Sequence, residues 1–376
     1  MQTIFPTPPV KTLRATIIVP VKNEEDNLYG MLDALRLQVD PAGIRMQPGL
    51  YEVLLLANNC TDRSFELAKV YQQKYPDFRL HVAKITLEKQ HAHIGTVRRL
   101  LMDEAYHRFQ ILDNPDGIII STDGDSRVDS CWLHYIFAEF DNGCDVVGGR
   151  IISDYSESPS RKYHLKDVGY RYLVSHLESC IDPCAFDPWP RHFQCYGPST
   201  AVKCSIYEKA GRLPVLPFLE DENFRKALIR IDARIRRSPH VKVYTSSRES
   251  GQVDFGFSIQ LNEWRKMKLE GKKIFVEAPG SLIIKFNARK ELRELFNDYL
   301  LTNTLDVLRL KQLARSLFLD EEWLQLKIIT ATYFGSLWED TEMALSVQKW
   351  DERHPGISID TAIGDLRNLL YTKQPA

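Results

Sequence analysis

The sequence has no long hydrophobic run, no excess charge of one sign and no paired-cysteine motif. Each absence removes a class of protein. No stretch approaches the ~18 apolar residues of a spanning helix. The opening MQTIFPTPPVKTLR has no apolar core of signal-peptide length. A soluble, cytoplasmic chain without a transmembrane segment is expected. Lysine plus arginine number 49 and aspartate plus glutamate 50, a formal net charge of -1. No basic field exists to hold a nucleic acid or an anionic membrane, so a phosphate-bearing partner must be held locally. The seven cysteines, at 60, 131, 144, 180, 184, 195 and 204, form no CxxC pair. Cys180 and Cys184 have helical spacing, but zinc would need further ligands nearby. Reduced structural thiols are the expectation, which suits a cytoplasm. Internal repeats and low-complexity segments are also lacking. What remains is ordinary globular material, 44% hydrophobic and 26% charged over 376 residues. That suffices for a normal core in one large or two smaller domains.

The first half alternates strand-like and helix-like patterns. ATIIVP (15–20), YEVLLLA (51–57), RLHVAKI (79–85), GIIIST (117–122) and DVVGGR (145–150) read as strands. Between them lie an amphipathic stretch with Leu28, Met31, Leu32 and Leu35 on one face, FELAKVYQQKY, a helix over 97–109, and CWLHYIFAEF. Wholly apolar strands alternating with helices predict an α/β fold, a mostly parallel central sheet with helices on both faces. The region 153–212 is less regular, with a helix over 163–180 and then CIDPCAFDPWPRHFQCYGPST. A helix after Glu220 and a strand at HVKVYTS follow. From about residue 256 the pattern is helical, clearest in LRELFNDYLLTNTLDVLRL and WLQLKIITATYFGSLW. The expected division is an α/β domain over 1–255 and a helical C-terminal extension over 256–376.

In open α/β sheets ligands bind beyond the carboxyl ends of the strands. Those ends carry Asn23 and Glu24 after the first strand, Asn58, Asn59 and Asp62 after the second, and Asp123-Gly124-Asp125 after the fourth. Any one of them could serve as a helix cap, but capping explains the set poorly. Amides and carboxylates at three strand ends suit a nucleoside's base and ribose. Mg²⁺ and Mn²⁺ are hard ions, held by one or two carboxylates plus substrate phosphates and water. Two acids around a glycine could hold such an ion, the glycine letting a diphosphate approach; DG is equally a common solvated turn. The second acidic run, Glu220-Asp221-Glu222, opens an amphipathic helix marked by Leu219, Phe224, Leu228 and Ile231. Acids there stabilise the helix dipole, or present a general base to a hydroxyl.

In this order PVKNEEDNL, LLLANNCTDRS, STDGDS and FLEDENF resemble the motifs of the family 2 glycosyltransferases, inverting enzymes of the GT-A fold, here of a bacterial type. HAHIGTVRRLLMDEA and HVKVYTSSRESG are also similar to family segments, so the resemblance spans residues 16–264. It implies a GT-A domain with a nucleotide-binding half over 15–150 and an acceptor and catalytic-base half over 151–255. Pro20, Val21 and Glu24 would line the nucleoside site. Asn58, where many members carry Asp, would face the base. Asp123 would meet the ribose or the metal, and Asp125 would bind Mn²⁺ or Mg²⁺ directly. Asp221 would be the catalytic base, supported by Glu220. Arg98 and Arg248 would reach the diphosphate, or else sit in surface ion pairs. Two departures stand out. Lys22 replaces a frequent aromatic, and ESGQVDFGFS replaces a Gly- and Arg-rich stretch. His240 is either a further metal ligand or an ordinary surface or core histidine. The implied partners are a UDP- or GDP-linked sugar donor and a hydroxyl-bearing acceptor, without nucleic acid. Trp189, His192, Phe193 and Tyr196 could cover the acceptor or simply roof the sheet.

Two competing classes differ in what they require. A sugar-1-phosphate nucleotidyltransferase normally needs a Gly-rich basic loop after the first strand, and VKNEEDN is acidic and free of glycine. A catalytically inactive GT-A binding protein would not need both acidic motifs. The near-balanced C-terminal helices suit packing on the core or a homodimer better than a membrane surface.

Overall fold

A strand with no polar side must be covered on both faces. The structure, a computed structural model, describes residues 3–154, 158, 160–246 and 257–371, and it meets that requirement. Packing divides these residues into two compact units. One comprises residues 1–156, 194–228 and 233–259, the other residues 157–193, 229–232 and 260–376.

The first unit begins β1 (Ala15–Val21), α1 (Leu28–Arg36), β2 (Tyr51–Asn58), α2 (Ser64–Lys74), β3 (Leu80–Ile85) and α3 (Ile94–Ile111). It continues with β4 (Ile118–Ser121), β5 (Ser126–Val128), α4 (Trp132–Asp141) and β6 (Val146–Ser153). After α5 (Ser160–Ile181), which belongs to the second unit, come β7 (Thr200–Lys203), α6 (Cys204–Lys209), α7 (Glu220–Arg230) and β8 (Ile235–Thr245). β1 and β2 are buried at every position. Their alternate residues feed two separate cores, as the two-residue period of a strand demands. Ile17, Val19, Val53 and Leu55 join the core closed by Leu28, Leu32, Trp132 and Ile136 of α1 and α4. Ile18, Leu54 and Leu56 join the one closed by Val97, Leu101, Phe109 and Phe224 of α3 and α7. Helices therefore cover both faces, as the apolar runs predict.

The eight strands lie in the order β3-β2-β1-β4-β7-β6-β8-β5. β1 to β4 are mutually parallel, and β6 and β8 form a further parallel pair. β7 runs antiparallel to both β4 and β6, and β5 antiparallel to β8. The sheet is thus mixed but mostly parallel, and the α/β expectation stands. β5 and β7 were not legible in the sequence, because three or four residues hold too little alternation to distinguish a strand from a loop. β8 starts at Ile235 rather than His240. From β1 the chain winds through β2 and β3 in one direction, then returns to place β4 on the other side of β1. That reversal opens a crevice at the carboxyl ends of β1 and β4, where α/β sheets take their ligands.

The second unit is mainly helical. Besides α5 it contains α9 (Pro279–Thr302), α10 (Val307–Leu317), α11 (Glu321–Thr330), α12 (Phe334–Val347), α13 (Trp350–Arg353) and α14 (Ile359–Tyr371), after α8 (Phe257–Leu269), which begins in the first unit. Leu292, Leu295 and Phe296 of α9 pack with Leu313 and Leu317 of α10 and Trp338 of α12. Tyr170 and Leu177 of α5 pack with Phe286 of α9 and Leu366 of α14. Asp306 caps α10, accepting from the Leu308 and Arg309 amides at 3.0 and 3.1 Å. Among the described residues no helix is long and apolar enough to cross a membrane.

Candidate active site

The loops after β1 and β2 are tied to each other by their own polar residues. Asn23 sits in the left-handed region at φ 54° and accepts the Thr61 amide at 2.8 Å. Asp62 accepts the Glu25 amide at 3.0 Å and the Ser64 amide at 3.0 Å. Asn59, also left-handed at φ 49°, exchanges two bonds with the backbone of Leu87, at 2.8 and 3.0 Å. These three residues tie neighbouring loops together. Asn58 is buried at the end of β2. Glu24 accepts from the Asn27 carboxamide at 2.8 Å.

The turn after β4 lies flat against the end of β1. The Thr122 amide donates to the Ile18 carbonyl at 3.2 Å, and Ser126 closes the turn onto the Asp123 carbonyl at 3.1 Å. A Cβ at Gly124 would stand 3.2 Å from the Pro20 carbonyl oxygen and from a Val21 methyl, and 3.4 Å from Cγ of Glu24. Any side chain there would make these neighbours give by a few tenths of an ångström, and glycine makes the approach without that. It sets Asp123 and Asp125 beside Pro20, Val21 and Glu24, residues about a hundred positions earlier.

Arg98 joins this turn to the second acidic run. It projects from the first turns of α3 and is buried, its side chain 5% exposed. Nη2 donates to Asp123 at 2.5 Å, and Nη1 donates to Glu220 at the start of α7. Arg98 is therefore no surface ion pair. Asp221, the next residue, accepts the Gly197 amide at 2.9 Å and the Glu222 amide at 2.8 Å. Glu222 turns away to a paired contact with Arg225, 2.7 Å at both oxygens. A small cavity between these elements is lined by Arg98, Ser121, Cys195, Gly197, Asp221 and Arg225, among others.

The electrostatics follow from burial and an excess of acid. Burial pushes the Asp123 carboxyl above the ordinary range; Arg98 opposes the shift, and Asp125 and Asp221 add to it. Burial likewise raises Glu220, with Arg98 opposing and Asp221 adding. For Arg98, burial favours the neutral form, but Asp123, Glu220 and Asp221 more than offset it and the guanidinium stays charged. One cation thus serves more carboxylates than it can neutralise, and the surplus negative charge suits a further cation. Among the described residues, no cluster of three or more His, Cys, Asp or Glu could hold a metal unaided. Asp123 and Asp125 instead match the one or two carboxylates that Mg²⁺ or Mn²⁺ takes when a substrate diphosphate completes its shell.

Other residues were also expected at the site. Arg248 is outside the described residues. His240 is exposed on β8 and stacks on Tyr135 of α4 at 5.1 Å. Within the second unit, Trp189 stacks on His176 of α5 at 3.8 Å, and the His192 carbonyl accepts from Ser175 at 3.2 Å. Both contacts are to α5. Two features escaped sequence reading. Gly197 touches both Arg98 and Asp221, and its only signal is a Gly-Pro pair before a short strand. Leu219 enters α7 with φ 56°, a left-handed conformation rare for a branched apolar residue.

Residues 16–189 match the model of a family described as glycosyl transferase family 2. No curated protein matches the chain. Among solved structures it resembles TarS 1-349 of S. aureus in complex with UDP, with a TM-score of 0.45 and 14% identity over 90% of this chain and 92% of that one. It also resembles the mannosyltransferase PcManGT of Pyrobaculum calidifontis in complex with GDP-Man and Mn2+, with a TM-score of 0.45 and 15% identity over 99% and 92%. GalNAc-T7 with UDP, GalNAc and Mn2+ follows, at 0.44 and 11% over 91% and 58%. At such identity none of these fixes the role of a residue.

Proposed function

We propose that the chain, whose residues 16–189 match the model of a family described as glycosyl transferase family 2, is a metal-dependent, inverting glycosyltransferase. Its donor is a sugar linked to UDP or GDP, and its acceptor a hydroxyl. Pro20, Val21, Glu24 and Asn58 line the nucleoside side, and Arg248 belongs to the diphosphate side. Asp125, with Asp123, holds Mn²⁺ or Mg²⁺. Such an ion, when bound, neutralises charge on the departing diphosphate. Asp221 accepts the proton of the acceptor hydroxyl while its oxygen bonds to the anomeric carbon from the face opposite the leaving group. The bond from that carbon to the diphosphate oxygen breaks in the same step, and the nucleotide diphosphate leaves with the electron pair. Inversion follows from that single in-line attack. Glu220 supports the base through the first turn of α7. A reducing cytoplasm suits the seven free cysteines.

One observation carries the reading: the Arg98 guanidinium bonds an acid of the strand-end turn and the residue preceding Asp221, so two motifs far apart in sequence share one site. The test is thermal unfolding with UDP or GDP, with and without Mn²⁺. A ligand at 100 times its Kd stabilises by about 2.7 kcal/mol. Indifference to every nucleotide diphosphate would favour a non-catalytic protein of the same fold. Asp125→Ala is expected to weaken Mn²⁺-dependent nucleotide binding about 10- to 100-fold. An unchanged calorimetric titration would remove Asp125 as the ligand.

A further inference from the structure

Arg98 bonds both acidic motifs, and its geometry is that of a fork. Its two terminal nitrogens go to different carboxylates, Asp123 on the turn after β4 and Glu220 on α7. A planar guanidinium fixes the angle between two such partners, whereas an ammonium is a point charge with no preferred plane. The Gly197 peptide supports the arrangement from the other side. A Cβ there would lie 2.6–2.8 Å from three guanidinium atoms, so any side chain at this position would displace the Arg98 tip from its two carboxylates. The same peptide's N–H donates to Asp221 at 2.9 Å. Guanidinium and base therefore rest on one backbone unit.

We infer that Arg98 is a positioning residue: through Asp123, Glu220 and the Gly197 peptide it sets the first turn of α7 against the Asp-Gly-Asp turn, and thereby Asp221 against the donor. This rests on the transferase reading above. Arg98 does not need to touch the sugar or the acceptor. What it supplies is a fixed distance between the side that grips the diphosphate and the side that takes the proton. A misplacement of about 1 Å in such an arrangement costs on the order of 100-fold in rate.

The experiment uses the full chain with Asp123→Asn, Glu220→Gln and Arg98→Lys, singly and combined, in two measurements. In urea, Asp123→Asn and Glu220→Gln are expected to be non-additive by about ten-fold in the folding equilibrium constant, since both act through Arg98. In the Arg98→Lys background the pair should move toward additivity. In steady-state transfer, Arg98→Lys is expected to lower kcat about 100-fold with donor KM within about 3-fold, the signature of a lost transition-state arrangement. A role limited to balancing buried charge would leave kcat alone, because lysine keeps the charge. Additivity in the Arg98 protein, or wild-type kcat in Arg98→Lys, overturns the proposal. A wild-type chain that turns over no UDP- or GDP-sugar, yet shows the coupling in urea, sinks the transferase reading and the positioning role with it. That result is distinct from failure of the bridge, which the urea cycle reports alone.

Discussion

Asp221→Asn is expected to fold, to bind a nucleotide diphosphate as the wild type does, and to transfer sugar about 10²- to 10⁴-fold more slowly. The substitution keeps shape and removes basicity. Asp221 now accepts two backbone amides, from Gly197 and Glu222. Asparagine offers one acceptor oxygen and an NH₂ group, so it can keep only one of those bonds. The residue is only half-buried and water can serve the other amide, so the stability loss should be about 1 kcal/mol. Circular dichroism and calorimetry with UDP or GDP would check fold and binding, and a transfer or donor-hydrolysis assay the rate. Turnover at the wild-type level would take the base role from Asp221. A loss of nucleotide affinity as large as the loss of rate would make it a binding residue instead.

Arg108→Met is expected to lower stability by about 3–5 kcal/mol without touching nucleotide affinity in the fraction that stays folded. Arg108 is buried on α3 and grips Glu52 with two bonds of 2.6 Å. Glu52 is the second residue of β2, near the end of the strand away from the crevice. Removing the cation strands a buried carboxylate whose remaining neighbours are the Thr16 hydroxyl at 3.0 Å and His81. Replacing both partners by methionine should recover most of the loss, because two apolar side chains leave no charge to desolvate. The pair also predicts a pH effect. Burial pushes the Glu52 carboxyl up, but His81 and Arg108 more than offset it and hold the group below the ordinary glutamate range. A carboxyl depressed in the fold adds stability above its unfolded pKa and loses it as pH falls through the folded value. The wild type should therefore lose urea resistance in acid more steeply than the double methionine variant. Parallel acid limbs would show that Glu52 does not carry this term.

How far a residue could be read depended on whether its role is local. Leu28, Met31, Leu32 and Leu35 declare one helical face by spacing alone, and all four are buried on α1. The mainly apolar, β-branched runs of β1, β2 and β4 suited a sheet interior, and there they lie. Strand-end acids were legible because the sheet rule marks where to look. Loop roles were not. Asn23, Asn59 and Asp62 each bond a neighbouring loop, a role their position at a strand end does not announce, since a polar side chain is equally suited to a base or to a neighbouring peptide. Arg98 could be seen but not placed, because both of its partners are distant in sequence.

Taken alone, the sequence determined the period of each long element, the burial of the central strands and the positions of the acidic motifs. Those depend on residues a few places apart, where backbone geometry converts spacing into a face. The tertiary structure decided which acids meet. Closing β4 against β1 brought Gly124 onto Pro20, and the burial of Arg98 then drew Asp123 and Glu220 to one charge. A buried guanidinium must find carboxylates wherever the fold supplies them, and no local pattern records which ones it will find.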